Sequence, residues 1–300
     1  MKELRLLVTN GCNYNCFFCH HEGLQEKQQA PIFTANDYAY LYKAFKELYQ
    51  SNEITVTGGE PLVRNDIIEI LQGLKNAQAK TTLVSNGSLL ESFTDVAKYV
   101  DRINISLHSL NPNVYSSIVN SNPNALSKVI AGIQKVVSKH PKTQIRFNTT
   151  ILKGVNDDSE SISEIINFAE DMHASVKFIE LYPSSTTGFV PLSHISNILE
   201  TNHQFKKVLE NKRQTIYSRN NNAVTAILTR IFCAHAITTE NSSKYCQEHQ
   251  DLFITPDGGI KTCMNTTDKV SIANAVHQRD LKQLSHKFMS AISEMGQHCK

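Results

Sequence analysis

Cys12, Cys16 and Cys19 limit what this chain can be more tightly than anything else in its 300 residues. Their spacing is C-x3-C-x2-C, in a short loop directly after a strand-like run, Leu4 to Thr9. Thiolates this close in sequence can turn toward one metal centre. A cubane [4Fe-4S] cluster normally takes four thiolates, so three leave one iron open to a further ligand. Zinc is the alternative: a structural site needs a fourth donor, which His20 or His21 could supply. Disulfides fit less well. Seven is an odd number of cysteines, most of them clustered, and Met1-Lys2 leads almost at once into a strand, with no secretory leader pattern. The expectation is a reducing, cytoplasmic compartment.

The C-x3-C-x2-C loop, with the aromatic Phe18 ahead of its last cysteine, resembles the hallmark of radical S-adenosylmethionine (SAM) enzymes. That resemblance implies that SAM chelates the open iron. An electron from the cluster then cleaves it to a 5'-deoxyadenosyl radical.

Composition bounds the rest. At 40% hydrophobic and 19% charged, the chain can build one large core, or one core plus a smaller module. A net charge of +2 with interspersed signs calls for neither a nucleic acid polymer nor an anionic membrane. Apolar runs such as Leu6–Val8 or Ile231–Ala234 fall far short of the ~20 residues of a membrane span. The polar patch Asn220-Asn221-Asn222 reads as a turn or loop.

From Leu4 to Leu181 short β-branched runs alternate with longer amphipathic stretches. Strands are expected at Leu4–Thr9, Glu53–Thr57, Thr81–Ser85, Arg102–Ser106, Gln144–Thr150 and Val176–Leu181. Helices are expected at Asn36–Gln50, Ile67–Ala77, Leu90–Tyr99, Ala125–Lys139 and Ser161–Met172, with caps in Thr34–Asp37 and Ser159–Ser161. Strands joined by crossover helices argue an α/β fold. Its parallel sheet would curl into a partial (β/α)6 barrel of the TIM type.

Chemistry in such barrels sits at the carboxyl ends of the strands. The cysteine loop, Gly58-Gly59-Glu60, Ser85-Asn86-Gly87, Ser106, Asn148 and Glu180 all fall on or near that rim. Read for this rim, Gly58 and Gly59 let backbone approach a ligand, and Glu60 can accept from an ammonium such as the methionyl amine of SAM. Ser85, Ser106 and Asn148 join the candidate SAM contacts. Each has a plainer reading too: glycines can serve a turn, Asn86-Gly87 is a turn signature, and Ser106 or Asn148 can satisfy barrel backbone. His108 and His173 are read as hydrogen-bonded structural residues.

The resemblance narrows along the chain. Leu4–Leu6, Cys12–Cys16, Thr57–Arg64, Ile103–Leu110, Leu152–Asp157 and Phe178–Pro183 resemble successive motifs of the MoaA-like GTP 3',8-cyclases of molybdenum-cofactor biosynthesis. The likeness covers the first two thirds, and Cys19–Gly23 resembles archaeal-type members. It implies a barrel over residues 1–185 and a small α+β module over 186–300, where the family carries a second three-cysteine cluster, C-x2-C-x13-C. Cys246 and Cys263 match the outer pair, and Thr255–Ile260 resembles the intervening hairpin, but the middle position is His249. Either His249 ligates or Cys233 enters as the third thiolate; otherwise these cysteines are buried small hydrophobes. Cys299, next to the last residue, is read as unligated.

Phosphate-binding positions implied by the resemblance are also altered. Arg5 is kept and Arg146 replaces a lysine as substrate residues, whereas Glu53, Thr55, Asp251 and Phe253 stand at positions that are basic in the family. Lys177 takes the place of a phosphate-binding arginine, Tyr182 that of a SAM-contacting methionine, and the C-terminal Gly-Gly tail is absent. The expectation is a lyase- or cyclase-like radical SAM enzyme with a small-molecule substrate, nucleotide- or nucleoside-derived, other than GTP. Flavodoxin or ferredoxin would supply electrons. GTP cyclisation itself, peptide modification and a non-catalytic metal-binding module are the alternatives.

Overall fold

The computed structural model describes residues 3–21, 31–181, 188–211, 213–219, 224–230, 251–263 and 267–295. Six parallel strands lie side by side in sequence order: β1 (Leu4–Leu7), β2 (Glu53–Thr57), β3 (Lys80–Ser85), β4 (Arg102–Ser106), β5 (Gln144–Thr150) and β6 (Ser175–Ile179). The crossovers carry α1 (Ala35–Tyr49), α2 (Ile67–Asn76), α3 (Pro112–Val119), α4 (Ala125–Lys139) and α5 (Ser159–Asp171). After α6 (Leu192–His203), the strands β7 (Lys206–Glu210), β8 (Gln214–Arg219) and β9 (Val224–Thr229) extend the sheet from β6, with β9 parallel to it. At the other edge β10 (Leu252–Ile254) runs parallel to β1, followed by β11 (Gly259–Lys261) and β12 (Val270–Ser271). Two helices, α7 (Ala273–His277) and α8 (Leu281–Glu294), complete the described chain.

Alternation along the strands sorts their side chains. Leu4, Leu6, Ile54, Val56, Phe147, Val176 and Phe178 are buried in the core with helix residues spaced three and four apart: Tyr38, Leu41, Tyr42 and Phe45 on α1, and Leu126, Val129, Ile133 and Val136 on α4. Arg5, Thr55, Arg146 and Lys177 alternate with them and take the opposite face. That face is concave. Lys177 on β6 lies within electrostatic reach of Arg5 on β1, yet five strand spacings across a flat sheet would separate them by about 24 Å. The sheet therefore curls, as a partial barrel requires.

Local chemistry explains the boundaries. Thr34 and Asp37 form a reciprocal capping box on α1. On α5 the cap is Asp158, one residue before the expected cap stretch Ser159–Ser161, accepting from the Ser161 amide at 2.9 Å. The expected helix over Leu90–Tyr99 is only a 3-10 turn at Thr94–Lys98. Thr94 offers the backbone a competing bond, its Oγ1 donating to the Glu91 carbonyl at 3.3 Å. The reading missed α3, although Asn111-Pro112 signals it: Asn111 caps two amides and Pro112 occupies the first turn. Strand β6 ends at Ile179, two residues early. The hairpin over Thr255–Ile260 is present, with Gly258 at φ +79°. Among the described residues no helix is long and apolar enough to cross a membrane.

Candidate active site

The cysteine loop leaves β1 and is pinned from two sides. Its Asn15 and Phe17 amides donate to the Val119 and Ile118 carbonyls at the end of α3, both at 3.2 Å, and Cys19 N bonds Cys16 O at 3.0 Å to close a turn. The loop after β2 lies against it: Gly59 N donates to Thr9 O at 2.9 Å and Glu60 N to Gly11 O at 2.8 Å. The two glycines are required by this contact. Gly58 has φ +143°, and a Cβ on Gly59 would overlap the Gly11 carbonyl, coming within 2.7 Å of its carbon and 2.9 Å of Asn10 O. Their close approach is thus to the backbone of the cysteine loop itself.

Glu60 is 0% exposed and accepts three hydrogen bonds, from Leu62 N (3.0 Å), Ser85 Oγ (2.9 Å) and Asn86 N (2.6 Å). Burial pushes its carboxyl up to about 7, against the pull of those donors. Of roughly four lone-pair directions one remains for a ligand. Ser85 is likewise occupied, donating to Glu60 and accepting from Gly87 N at 3.0 Å. Sequence reasoning placed Asn86 on the rim as part of a turn and gave it no contact with the cysteine loop. In the fold its side-chain amide donates to Asn13 Oδ1 at 2.9 Å and approaches Cys12 Sγ at 3.9 Å, while Asn13 donates to Ser88 at 2.8 Å. Asn86 thus joins the cysteine loop to the end of β3.

Cys12, Cys16 and Cys19 are thiols outside any disulfide, Cys12 and Cys19 exposed and Cys16 half-buried. Burial, then the neighbouring Cys19 and Cys12, pushes the Cys16 thiol up to about 12; burial also leads in raising Cys12. Three thiols that oppose one another's ionisation suit a cation that would hold them as thiolates. Among the described residues no three His, Cys, Asp or Glu converge as one mononuclear ion needs. A cubane takes each ligand on a separate iron, so three thiolates can serve it without His20 or His21. Nearby, Asn10 Oδ1 and Asn148 Oδ1 are buried without partners, as acceptors awaiting a ligand would be. These residues fit a cluster with SAM.

Of the other expected contacts, Phe18 packs edge-to-face on His108 with ring centres 5.0 Å apart. Ser106 pairs with Asn148 at the ends of β4 and β5. Glu180 is buried, its amide bonded to Thr229 O at 3.2 Å. Tyr182, Cys233, Cys246, His249 and Cys299 lie outside the described residues, as do Asn220–Asn222, read from sequence as a turn or loop. Cys263 follows β11, half-buried.

Deeper in the concave face is a basic group. Arg5 stacks over Phe253 at 5.6 Å, Arg146 Nε donates to Ser175 Oγ at 3.2 Å, and Arg213 pairs with Asp251 at 3.4 Å. Thr55 bonds Glu3, and Glu53 faces outward to Lys80. Burial and then Arg102 bring Arg146 down to about 10, with Glu3 opposing. Lys177 falls to about 7, from burial first and then Arg213, Arg146 and Arg5. Among the described residues no hydrogen bond or ion pair holds its ammonium. Asn104 Oδ1 and Arg102 Nε are also buried without partners.

The radical SAM superfamily profile matches residues 6–169. A probable GTP 3',8-cyclase of Pyrobaculum aerophilum is 30% identical, over 98% of this chain and 93% of that protein. The GTP 3',8-cyclase of Alkaliphilus oremlandii is 28% identical over 93% and 86%. Among solved structures, Streptococcus suis SuiB bound to S-adenosylmethionine superposes with a TM-score of 0.66 at 16% identity, covering 94% of this chain. This chain spans 65% of the length of SuiB. Native anSMEcpe with bound AdoMet gives 0.59 at 13% identity, over 95% of this chain and 82% of its own length. Both share the fold. With more than half its length inside the superfamily profile and a relative 30% identical almost end to end, the chain belongs to the radical SAM superfamily as a MoaA-like enzyme.

Proposed function

We propose that this MoaA-like enzyme acts on an anionic, nucleotide- or nucleoside-like small molecule other than GTP, abstracting hydrogen to start a cyclisation or rearrangement. The observation that carries the substrate class is the basic group of the concave face, with Lys177 unengaged between Arg146 and Arg5. Its rim argues against a triphosphate. Asp251 neutralises Arg213, Glu3 bonds Thr55, and Phe253 covers one face of Arg5. Carboxylates beside polyphosphate would cost affinity.

When bound, the cluster and SAM supply a 5'-deoxyadenosyl radical, chemistry that belongs to the cofactor. Cys12, Cys16 and Cys19 would hold the cluster. Asn148, Ser106, Phe18, Tyr182 and the Gly58-Gly59 backbone would seat SAM, with Glu60 and Ser85 ordering the loops around it. Arg5, Arg146 and Lys177 would fix the anionic end of substrate and keep the reacting carbon oriented. The barrel would take residues 1–185. The module at 186–300 would carry a second cluster on Cys246, Cys263 and either Cys233 or His249, and a reductant such as flavodoxin or ferredoxin would supply electrons. GTP cyclisation is the second reading, supported by the names of the relatives and their near full-length identity.

Anaerobically reconstituted protein, tested for 5'-deoxyadenosine formation over nucleotides, nucleosides and peptides, decides between them. The reading predicts turnover with a singly anionic nucleotide or nucleoside derivative. Cyclised product from GTP would overturn it, and a peptide as sole substrate would favour peptide modification. Iron counting separates ~4 from ~8 Fe per chain, one cluster from two.

A further inference from the structure

We infer that His108 is a positioning residue for the cofactor: its ring sets the pitch of Phe18 inside the cysteine loop, and β5 and its exit loop hold that ring fixed. The inference rests on the reading that Phe18 contacts SAM. His108 lies two residues past β4 and is 5% exposed. Its Nδ1 accepts from Thr150 N at 3.2 Å, so the ring proton resides on Nε2. Its carbonyl accepts from Asn156 Nδ2 at 2.8 Å. Asn156, 1% exposed, also donates to Thr150 O at 3.0 Å and accepts from Leu152 N at 2.7 Å. Thr149 Oγ1 bonds Leu107 O at 2.7 Å on the other side. Ring and backbone of His108 are therefore both fixed. Burial keeps the imidazole neutral, down to about 4, which preserves the Nδ1 acceptor.

What the fixed ring touches is Phe18, at 82° between planes. Phe18 stands between Cys16 and Cys19 and meets Phe17 edge-on at 5.8 Å. A phenylalanine at 108 would keep the ring contact and lose the hook to β5. Alanine loses both.

The test is a cycle of H108A, H108F, F18A and H108A/F18A in reconstituted full-length protein. It reads iron content, SAM dissociation constant by calorimetry, and the change SAM makes in the electron paramagnetic resonance of the reduced cluster. An edge-to-face pair sets the scale: SAM binding should weaken about three- to tenfold in H108A. H108F should recover most of that loss, iron content should hold, and the double variant should lose no more SAM affinity than F18A alone. Wild-type SAM affinity in H108A, or additive losses in the cycle, overturns the inference. If H108A fails to fold, H108L, which fills the space without a ring, gives the same comparison through H108L, F18A and H108L/F18A. Wild-type SAM affinity in F18A would instead sink the reading of Phe18 as a SAM contact, a separate failure.

Discussion

Lys177 gives the sharpest prediction. Its ammonium is brought down to about 7 by burial and by Arg213, Arg146 and Arg5, with Glu3 opposing. An anion seated among these groups favours the charged form, so binding takes up a proton wherever free Lys177 is neutral. The sign follows: affinity is full below pH 7 and falls as pH rises through it. With the bound-state value lifted well above 8, the dissociation constant should grow about tenfold between pH 6 and pH 8, equivalent to about 1.4 kcal/mol. Sulfate is a suitable probe because it carries the same charge throughout that range. Calorimetric titration of the full chain at constant ionic strength reads the slope. K177M should bind weakly with a flat profile; K177R should bind with a flat profile near the acid-side affinity of wild type. A wild-type constant unchanged from pH 6 to 8, or an equal slope in K177M, would refute the reasoning.

Other perturbations follow from the same contacts. G59A forces a methyl into the Gly11 carbonyl, so it should cost about 3 kcal/mol and the ability to hold iron, read by melting and iron assay. C16A should lower iron by about four per chain and abolish 5'-deoxyadenosine formation while the far-ultraviolet circular dichroism stays as in wild type. Arg64 donates to Val8 O (2.7 Å), Phe33 O (2.6 Å) and both oxygens of Asp66, tying β1 to the entry of α1. R64M should therefore destabilise by about 2–3 kcal/mol in urea unfolding, because it leaves the Val8 and Phe33 carbonyls without their donor. E60Q would turn a donor toward the Asn86 amide. A lower melting temperature, with loss of the Ser85–Asn86 turn geometry in amide exchange, is the expected result.

The barrel strands were legible because each satisfies two local demands at once, alternation for a half-buried face and a helical pattern before the next strand. Leu4, Arg5 and Leu6 show the rule: neighbours in sequence, opposite faces in the fold. The edges were not legible. Nothing in the periodicity of Leu252–Ile254 says that it pairs with β1, or that Val224–Thr229 pairs with β6, since those contacts join segments far apart in sequence. Leu90–Tyr99 failed for a different reason: apolar spacing was present, but a local bond from Thr94 Oγ1 to the Glu91 carbonyl accompanies a 3-10 turn there.

The site was read by residue type, and type alone misjudges a group whose valence is already spent. Glu60 seemed free to meet an ammonium, yet three donors from its own and the next loop claim it, at no exposure to solvent. Lys177 looked like one substitution among several, because a sequence places it beside Val176 and Phe178, never beside Arg5. Curling brings them together: cations from β1, β5 and β6 meet only when the sheet bends, and an anion sharing the space would relieve their mutual repulsion. Burial against like charge is a standing cost to the empty protein. On the proposed reading, a ligand carrying negative charge would offset the part of that cost that Glu3 and Asp251 do not. K177M should accordingly raise the melting temperature of the free protein while weakening sulfate, and a variant that lost both together would point to a purely structural lysine.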